Sequence, residues 1–230
     1  MNFDFYLFDL DGTLLNLGNI GAYADEILIE VLKRLNITKA PDRAERKNLW
    51  FNIENYINVL DNWGASNPKD FWKFFDEIDF EKRKILLLKK ELSLFDDVIE
   101  TLEKISNHVD CKKMAIVTNT VHDIVNYFLD TFKISGYFKE IFSLGFKNDQ
   151  NSAKPSPDGI LTILKKFNYK SKVNKAIMIG DSIFDIVAAK KAKISACLIR
   201  RDIEKNYKEW EIQPDYVIKS LNELIDFRPN

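Results

Sequence analysis

Short apolar runs rich in β-branched and aromatic residues recur along the chain. From the second run onward, the intervals carry the hydrophobic period of amphipathic helices. Strands that alternate with helices of this length are typical of a parallel sheet with helices on both faces. The predicted strands are FYLFDL (5–10), MAIVT (114–118), EIFS (140–143), AIMIGD (176–181), ACLIR (196–200) and DYVI (215–218).

One interval, directly after the first run, is much longer than the others and contains no convincing strand. It includes two amphipathic stretches, AYADEILIEVLKRL (22–35) and FEKRKILLLKKEL (80–92), and the break-rich segment NWGASNP (62–68). We therefore predict a helical domain inserted after the first strand. The predicted fold is an α/β, Rossmann-like parallel-sheet core with a small all-helical domain, the core formed by residues 1–15 and 93–230 and the helical domain by residues 16–92.

Composition and charge narrow the range of partners. The chain has 34 Lys and Arg against 35 Asp and Glu, so no excess positive charge favours nucleic acid. No apolar run approaches the roughly 18 residues that a membrane-spanning helix needs. Acidic residues interrupt the N-terminal apolar run, which disfavours a secretory signal. Cys111 and Cys197 are too few for a disulfide framework and fit a reducing compartment. We expect a cytoplasmic protein with no nucleic-acid or membrane partner.

The first predicted strand runs into two carboxylates one residue apart, Asp9 and Asp11, followed by Gly-Thr. In a strand, side chains at i and i+2 lie on the same face, so the two acids would crowd together at its end. An Asp-Gly turn is one interpretation. The other is a carboxylate nucleophile beside a second carboxylate that transfers protons, with a cation to relieve the repulsion.

A second pair of acids follows the run AIMIG. Asp181 comes at the predicted strand end, and Asp185 is four residues later, on what we expect to be the same helical face. Ser182 and Asp185 also form the pattern of a helix capping box, which leaves Asp181 unexplained. Carboxylate oxygens in small number are ligands that Mg²⁺ accepts, together with water and substrate phosphate.

Two further segments supply hydroxyl and ammonium groups. Thr118 ends the strand in AIVTNT, and Thr120 with Asp123 fits the pattern that caps a following helix. In SAKPSPDGI, Pro157 predicts the first position of a helix, and Lys154 stands just ahead of it. A lysine there is usually solvated, but near a helix N-terminus it could also neutralise a phosphate.

All four segments are predicted at or just beyond the carboxyl ends of strands, where open α/β sheets bind ligands. In this order they resemble the motifs of the haloacid dehalogenase superfamily of phosphohydrolases. The likeness runs from residue 3 to about 226 and is greatest for the phosphatase branch with a helical cap after the first strand, which includes phosphoglycolate phosphatase-like proteins. The motifs read DLDGT from Asp9, VTNT around Thr118, AKPSPDG at Lys154 and GDSIFD from Asp181.

The resemblance implies a role for each matching residue. Asp9 is expected to attack phosphorus and form an aspartyl phosphate, while Asp11 protonates the leaving alcohol and then activates water. The residues expected to bind the phosphoryl group are Gly12 through its backbone, Thr118, Asn119 and Lys154. The residues expected to hold Mg²⁺ are Asp9, Asp11 through its main-chain carbonyl and Asp181, with Asp185 either a further ligand or a group that orients the ligands.

The implied function is a Mg²⁺-dependent phosphatase that hydrolyses a small phosphorylated metabolite, as a monomer or a homodimer, with residues 16–92 as its cap. Asp11 disfavours a dehalogenase, which needs no second acid for a leaving alcohol. Two alternatives stay open. One is a phosphomutase of the same superfamily, although AYADEILIEVL lacks the histidine usual in the cap of such enzymes. The other is a non-catalytic protein that binds a phosphorylated metabolite.

Overall fold

A computed structural model describes residues 3–39, 41–51, 53–107, 113–145, 150–201 and 206–225. No helix in these ranges has both the length and the apolar character needed to cross a membrane. Cys197 is a buried free thiol, whereas Cys111 lies outside the described residues. Burial raises the pKa of the Cys197 thiol.

Strands and helices alternate along most of the chain. The strands are β1 (Phe5–Phe8), β2 (Leu15–Asn16), β3 (Ser93–Leu94), β4 (Met114–Val117), β5 (Glu140–Phe142), β6 (Ala176–Gly180), β7 (Ser195–Ile199) and β8 (Tyr216–Ile218). The α-helices are α1 (Ile20–Arg34), α2 (Arg43–Phe51), α3 (Tyr56–Asn62), α4 (Phe71–Leu88), α5 (Val98–Asn107), α6 (His122–Thr131), α7 (Asp158–Lys166) and α8 (Ile183–Lys191).

Six of the described strands form one parallel sheet in the order β5-β4-β1-β6-β7-β8. The strand β1 lies in the middle, with Tyr6 opposite both Met114 of β4 and Ile177 of β6. These are the six strands predicted from the apolar runs, so the predicted α/β fold with a parallel sheet is confirmed. The order reverses at β1, and the carboxyl end of this strand is therefore the expected ligand position.

Both faces of the sheet are buried. On one face, Phe5 and Leu7 of β1 pack in a core cluster with residues of α7 and α8, including Ile163 and Ile186. The alternate side chains of β1, such as Phe8, are equally buried. Burial on both faces explains why the strands are continuous apolar runs rather than alternating ones.

The chain divides into two compact units. The sheet unit contains the residues up to Asn16, those from Leu94 to Leu144, and those from Ser152 onward. The helical unit contains Leu17–Ser93 together with Gly145, Gln150 and Asn151. The short strands β2 and β3, where the chain leaves and re-enters the sheet unit, pair with each other.

The helical unit has its own core and buried polar contacts. Phe71 and Trp72 pack edge to face, with ring centroids 4.9 Å apart. Tyr23 donates a hydrogen bond to the buried carboxylate of Asp79 at 2.5 Å, and Arg83 donates to the same carboxylate oxygen at 2.7 Å. These contacts tie α1 to α4 inside the unit.

Two helix predictions differ from the structure. The stretch predicted helical at 80–92 belongs to α4, which begins at Phe71 and ends at Leu88. Its end is set by Lys90, whose φ of 61° is left-handed and incompatible with a continuing α-helix. The family resemblance also implies a closing strand and helix in PDYVIKSLNEL (214–224), and there the segment Leu221–Ile225 forms a 3₁₀ helix rather than an α-helix.

Candidate active site

The functional candidates begin where the central strands end. Asp9 follows β1 directly, and its N–H donates to the carbonyl of Ile179 at 2.9 Å. Thr118 follows β4, with its N–H donating to the carbonyl of Phe142 at 3.0 Å. Asp181 follows β6. Because the strands are parallel and adjacent, these side chains meet at one edge of the sheet.

Lys154 joins this edge from a segment that precedes α7. Its side chain is only 7 % exposed, and its Nζ donates to Oδ1 of Asp9 at 2.5 Å and to Oδ1 of Asp185 at 2.6 Å. The interpretation of this residue as a solvated lysine is therefore wrong. The helix α7 begins at Asp158, so Pro157 precedes it by one residue instead of occupying its first turn.

The charges in this cluster do not balance. Burial raises the pKa of Asp9 well above the ordinary value for aspartate; Lys154 opposes this shift, and Asp185 and Asp181 add to it. Burial also disfavours the charged form of Lys154, but Asp185 and Asp9 outweigh that effect and raise the lysine's pKa. One ammonium thus lies in a group of three buried carboxylates, an arrangement that further positive charge would stabilise.

The same three carboxylates fit a metal ion. Among the described residues, Asp9, Asp181 and Asp185 each offer an oxygen, and these oxygens all lie within 4.8 Å of one another. Ligands of a single Mg²⁺ lie at most about 4 Å apart, given Mg–O distances near 2.1 Å. Carboxylate oxygens with excess negative charge suit a small divalent cation. The three carboxylates would fit one Mg²⁺ if their oxygens moved closer together by less than about 1 Å.

Asp185 is held by the start of its helix. The N–H and the hydroxyl of Ser182 both donate to its Oδ2, at 3.1 and 2.6 Å, so the predicted capping box is confirmed. Asp181 precedes α8, and the prediction that it shares a helical face with Asp185 is wrong. The two acids instead approach each other because a strand end and a first helical turn are adjacent.

Gly180 makes this close approach possible. A Cβ atom at Gly180 would lie 2.1 Å from Cγ of Asp185, a distance that no real side chain tolerates. A glycine inside an apolar strand signals a close approach of this kind. Gly180 was not among the predicted site residues, although a glycine in an apolar strand just before Asp181 is a sequence signal of such a close approach.

The remaining phosphate-binding candidates have partners of their own. Asn119 is exposed and uses its side-chain amide on the main chain of Lys154, donating to its carbonyl at 3.1 Å and accepting from its N–H at 2.9 Å. Gly12 has a φ of 76°, and its N–H donates to the carbonyl of Leu15 at 2.8 Å. A phosphoryl oxygen could share this amide only through a bifurcated bond.

The side chain of Asp11 is not one of the three grouped carboxylates, and it contacts Thr120. The hydroxyl of Thr120 donates to Oδ2 of Asp11 at 2.7 Å. We expected Thr120 to cap the next helix with Asp123, and that expectation is wrong: α6 begins at His122, after Val121, and this N-cap makes no side-chain capping bond among the described contacts. Sequence reasoning missed the contact because the two residues are 109 positions apart.

The chain is similar to known proteins over nearly its whole length. Pyrophosphatase PpaX of Listeria innocua is 25 % identical over 224 residues, which covers 95 % of this chain and 93 % of the relative. A Haemophilus somnus protein described as a predicted phosphoglycolate phosphatase has a TM-score of 0.66 at 22 % identity, with 98 % of each chain covered. The Bacillus subtilis HAD-hydrolase YfnB, solved bound to magnesium, has a TM-score of 0.60 at 21 % identity, again with 98 % of each chain covered.

The family model described as "Haloacid dehalogenase-like hydrolase" matches residues 6–199. The match spans the strand ends that carry Asp9, Thr118 and Asp181, as well as the segment with Lys154. It also covers most of the chain, including the helical unit. The protein therefore belongs to the haloacid dehalogenase-like hydrolase family.

Proposed function

We propose that this hydrolase is a Mg²⁺-dependent phosphatase that cleaves a small phosphomonoester through an aspartyl-phosphate intermediate. The observation that carries the proposal is the contact of Asp9 with Lys154 inside a buried group of carboxylates at the end of β1. Phosphoryl transfer needs mainly positioning and charge neutralisation, and such a group provides both.

Asp9 is the proposed nucleophile. One of its carboxylate oxygens bonds to phosphorus while the bond from phosphorus to the ester oxygen breaks. Lys154 keeps the Asp9 side chain at the strand end before attack, through the 2.5 Å contact. Water then attacks phosphorus, inorganic phosphate leaves and the Asp9 carboxylate is regenerated, so one hard hydrolysis becomes two easier steps.

Asp11 is the proposed acid and base. In the first step it gives a proton to the leaving alkoxide, and in the second it takes a proton from the attacking water. Thr118, buried at the end of β4, and Lys154 are the proposed groups that hold the phosphoryl oxygens. Both supply donors where negative charge develops.

Asp9, Asp181, Asp185 and the main-chain carbonyl of Asp11 are the proposed protein ligands of Mg²⁺. The bound ion supplies positive charge that neutralises both the carboxylates and the phosphoryl group. Asp185 is held in place by Ser182 for this purpose, because both donors of Ser182 engage the Asp185 oxygen that Lys154 does not contact.

We propose that the helical unit acts as the cap that selects the substrate. Its buried network of Tyr23, Asp79 and Arg83 holds α1 and α4 together within the unit, which suits a domain that has to close over small substrates as one body. Experiments can distinguish this role from a role in catalysis. Substitutions in the helical unit should change the ranking of substrates but should not abolish turnover of all of them.

Inorganic pyrophosphate is a second candidate substrate. It is favoured by the relatives named pyrophosphatase PpaX, which align with nearly the whole chain. The same nucleophile would serve, since attack on one phosphorus expels phosphate in place of an alcohol. A better leaving group needs less protonation, so pyrophosphate cleavage should depend less on Asp11 than cleavage of an alkyl phosphate.

The test is phosphate release from a panel of small phosphomonoesters and pyrophosphate, with Mg²⁺ and with EDTA, for wild type and Asp9→Asn. We expect metal-dependent release by the wild type and its loss in the variant. The substrate with the highest kcat/KM distinguishes the two candidates. Well-folded wild type that releases no phosphate from any compound would contradict the proposal and favour a mutase or a binding protein.

A further inference from the structure

Thr120 is the last residue of the VTNT motif, and the family resemblance described above implies no role for it, yet its hydroxyl is directed at the site. It donates to Oδ2 of Asp11 at 2.7 Å, a distance typical of a charge-assisted bond between a hydroxyl and a carboxylate. The Thr120 hydroxyl is the donor and Oδ2 of Asp11 the acceptor, which leaves Oδ1 of Asp11 able to carry the proton of the acid form. The helix after Thr120 does not use the hydroxyl as a cap.

The main chain of Thr120 is held on both sides. Its N–H donates to Oγ1 of Thr118 at 3.2 Å, and its carbonyl accepts from the N–H of Leu144 at 3.2 Å. The side chain is β-branched and therefore has few rotamers once the backbone is fixed. The Thr120 hydroxyl is thus a preorganised donor rather than a mobile surface group.

The N–H of Thr120 also orients the hydroxyl of Thr118. Because Thr118 Oγ1 accepts this bond, its own hydrogen is directed elsewhere, as it must be in order to donate to a phosphoryl oxygen. Thr120 therefore contacts two of the proposed functional groups, Asp11 with its side chain and Thr118 with its backbone.

We propose that Thr120 is a positioning residue that holds the carboxyl group of Asp11 in line for proton transfer to the leaving group. The proposal rests on the phosphatase function above, because it assigns Thr120 a role only through the acid–base role of Asp11. Loss of the Thr120 hydroxyl frees the Asp11 side chain to rotate, and a misplaced acid slows the step that needs a proton.

The dependence on leaving group distinguishes this role from a structural one. Phenyl phosphate and p-nitrophenyl phosphate have similar shapes, but p-nitrophenolate leaves with much less help from an acid. Thr120→Val keeps the branched shape and removes only the donor. We expect kcat/KM to fall at least tenfold more for phenyl phosphate than for p-nitrophenyl phosphate, whereas a general loss of structure would lower both equally.

Two further variants complete the experiment. Thr120→Ser retains the donor and should restore the wild-type ratio of the two kcat/KM values. Thr131→Val removes a hydroxyl that bonds the carbonyl of Tyr127 within α6, and should leave the ratio unchanged. In an Asp11→Asn background, Thr120→Val should add little further loss, because the group that it positions is already gone.

The outcomes separate this proposal from the proposed function. Equal losses for both substrates, or additive losses in the double variant, would overturn the role of Thr120 while leaving the phosphatase intact. Wild type that hydrolyses neither probe, in the presence of Mg²⁺, would count against the phosphatase itself and with it against this role.

Discussion

Asn119 and Lys154 are joined by two hydrogen bonds that run in opposite directions. The side-chain amide of Asn119 donates to the carbonyl of Lys154 and accepts from its N–H, in the way that one strand pairs with another. The main chain of Lys154 is thereby fixed beside the sheet, and its ammonium group can reach Asp9 and Asp185 from a segment outside the regular elements.

We therefore expect Asn119→Ala to impair the position of Lys154. Two neutral hydrogen bonds contribute about 1 kcal/mol each, so kcat/KM should fall about tenfold or more while the fold is retained, because Asn119 is exposed. Steady-state kinetics with the best substrate of the panel would measure this. Asn174→Ala, which removes a side-chain bond to the N–H of Lys170 before β6, is the matched control and should be near wild type. An unchanged kcat/KM for Asn119→Ala would contradict the positioning role.

Gly180→Ala should be severe despite adding one methyl group. The new Cβ would overlap the Asp185 side chain, which is fully buried and bonded to both Ser182 and Lys154. We expect a loss of about 1–3 kcal/mol in the free energy of unfolding, measured in urea, and loss of phosphatase activity. Gly136→Ala, at a position where a Cβ meets nothing within 4 Å, should change neither quantity appreciably. Equal behaviour of the two variants would show that the Asp185 side chain can move aside.

Asp181→Asn should weaken metal binding without unfolding the protein. If Asp9, Asp181 and Asp185 hold Mg²⁺, the ion raises the midpoint of thermal unfolding of the wild type by mass action. We expect this Mg²⁺-dependent shift to be lost or to need about tenfold more metal in Asp181→Asn. Asp130→Asn, at an exposed position of α6, is the control and should keep the shift. A shift of wild-type size in Asp181→Asn would remove that residue from the ligand set.

Asp97 forms a network that should make stability depend on pH. Burial alone would raise its pKa, but hydrogen bonds from Arg201, Ser220 and the N–H of Leu221 outweigh burial and lower it. Its ionised form therefore stabilises the fold above the pKa of an unfolded aspartate, about 3.9, and this contribution is lost as the pH falls through the lower pKa of the folded state.

Asp97→Asn should lower the free energy of unfolding by about 2 kcal/mol near neutral pH, since hydrogen bonds to charged groups contribute more than neutral ones. The difference from wild type should shrink when urea unfolding is repeated at about pH 3. Glu140→Gln, which removes one partner of an exposed pair with Lys166, should stay within about 0.5 kcal/mol of wild type. A difference for Asp97→Asn that is independent of pH would mean that its charge has no role.

The sequence was sufficient to predict the sheet and the residues at its carboxyl edge, because both are local signals. Asp9 and Asp181 each follow a continuous apolar run, and a parallel sheet necessarily brings such strand ends together. Lys154 was a candidate because it stands ahead of a predicted helix start and because it matches a family motif. Its burial between two carboxylates depends on partners 145 and 31 residues away, and no local pattern describes them.

The errors arose where one local pattern had two physical uses. Thr120 and Asp123 have the spacing of a helix cap, but the Thr120 hydroxyl bonds a carboxylate brought close by the pairing of β1 with β4. The helix α6 begins at His122 with Val121 as its N-cap, so Thr120 does not occupy the capping position and its one hydroxyl hydrogen is donated to Asp11. The role of Asn119 in phosphate binding stays a prediction, and the tertiary structure adds that its side-chain amide bonds the main chain of Lys154.

The most direct test of the proposed mechanism is to look for the covalent intermediate on Asp9. Asp11→Asn should still accept a phosphoryl group from p-nitrophenyl phosphate in the presence of Mg²⁺, but should lose it slowly because no base activates water. Acid quenching, proteolysis and mass spectrometry should then find one phosphoryl group on the peptide that contains Asp9, and none when EDTA is present. A phosphoryl group on another residue, or phosphate release by Asp9→Asn at the wild-type rate, would contradict the role of Asp9 as the nucleophile.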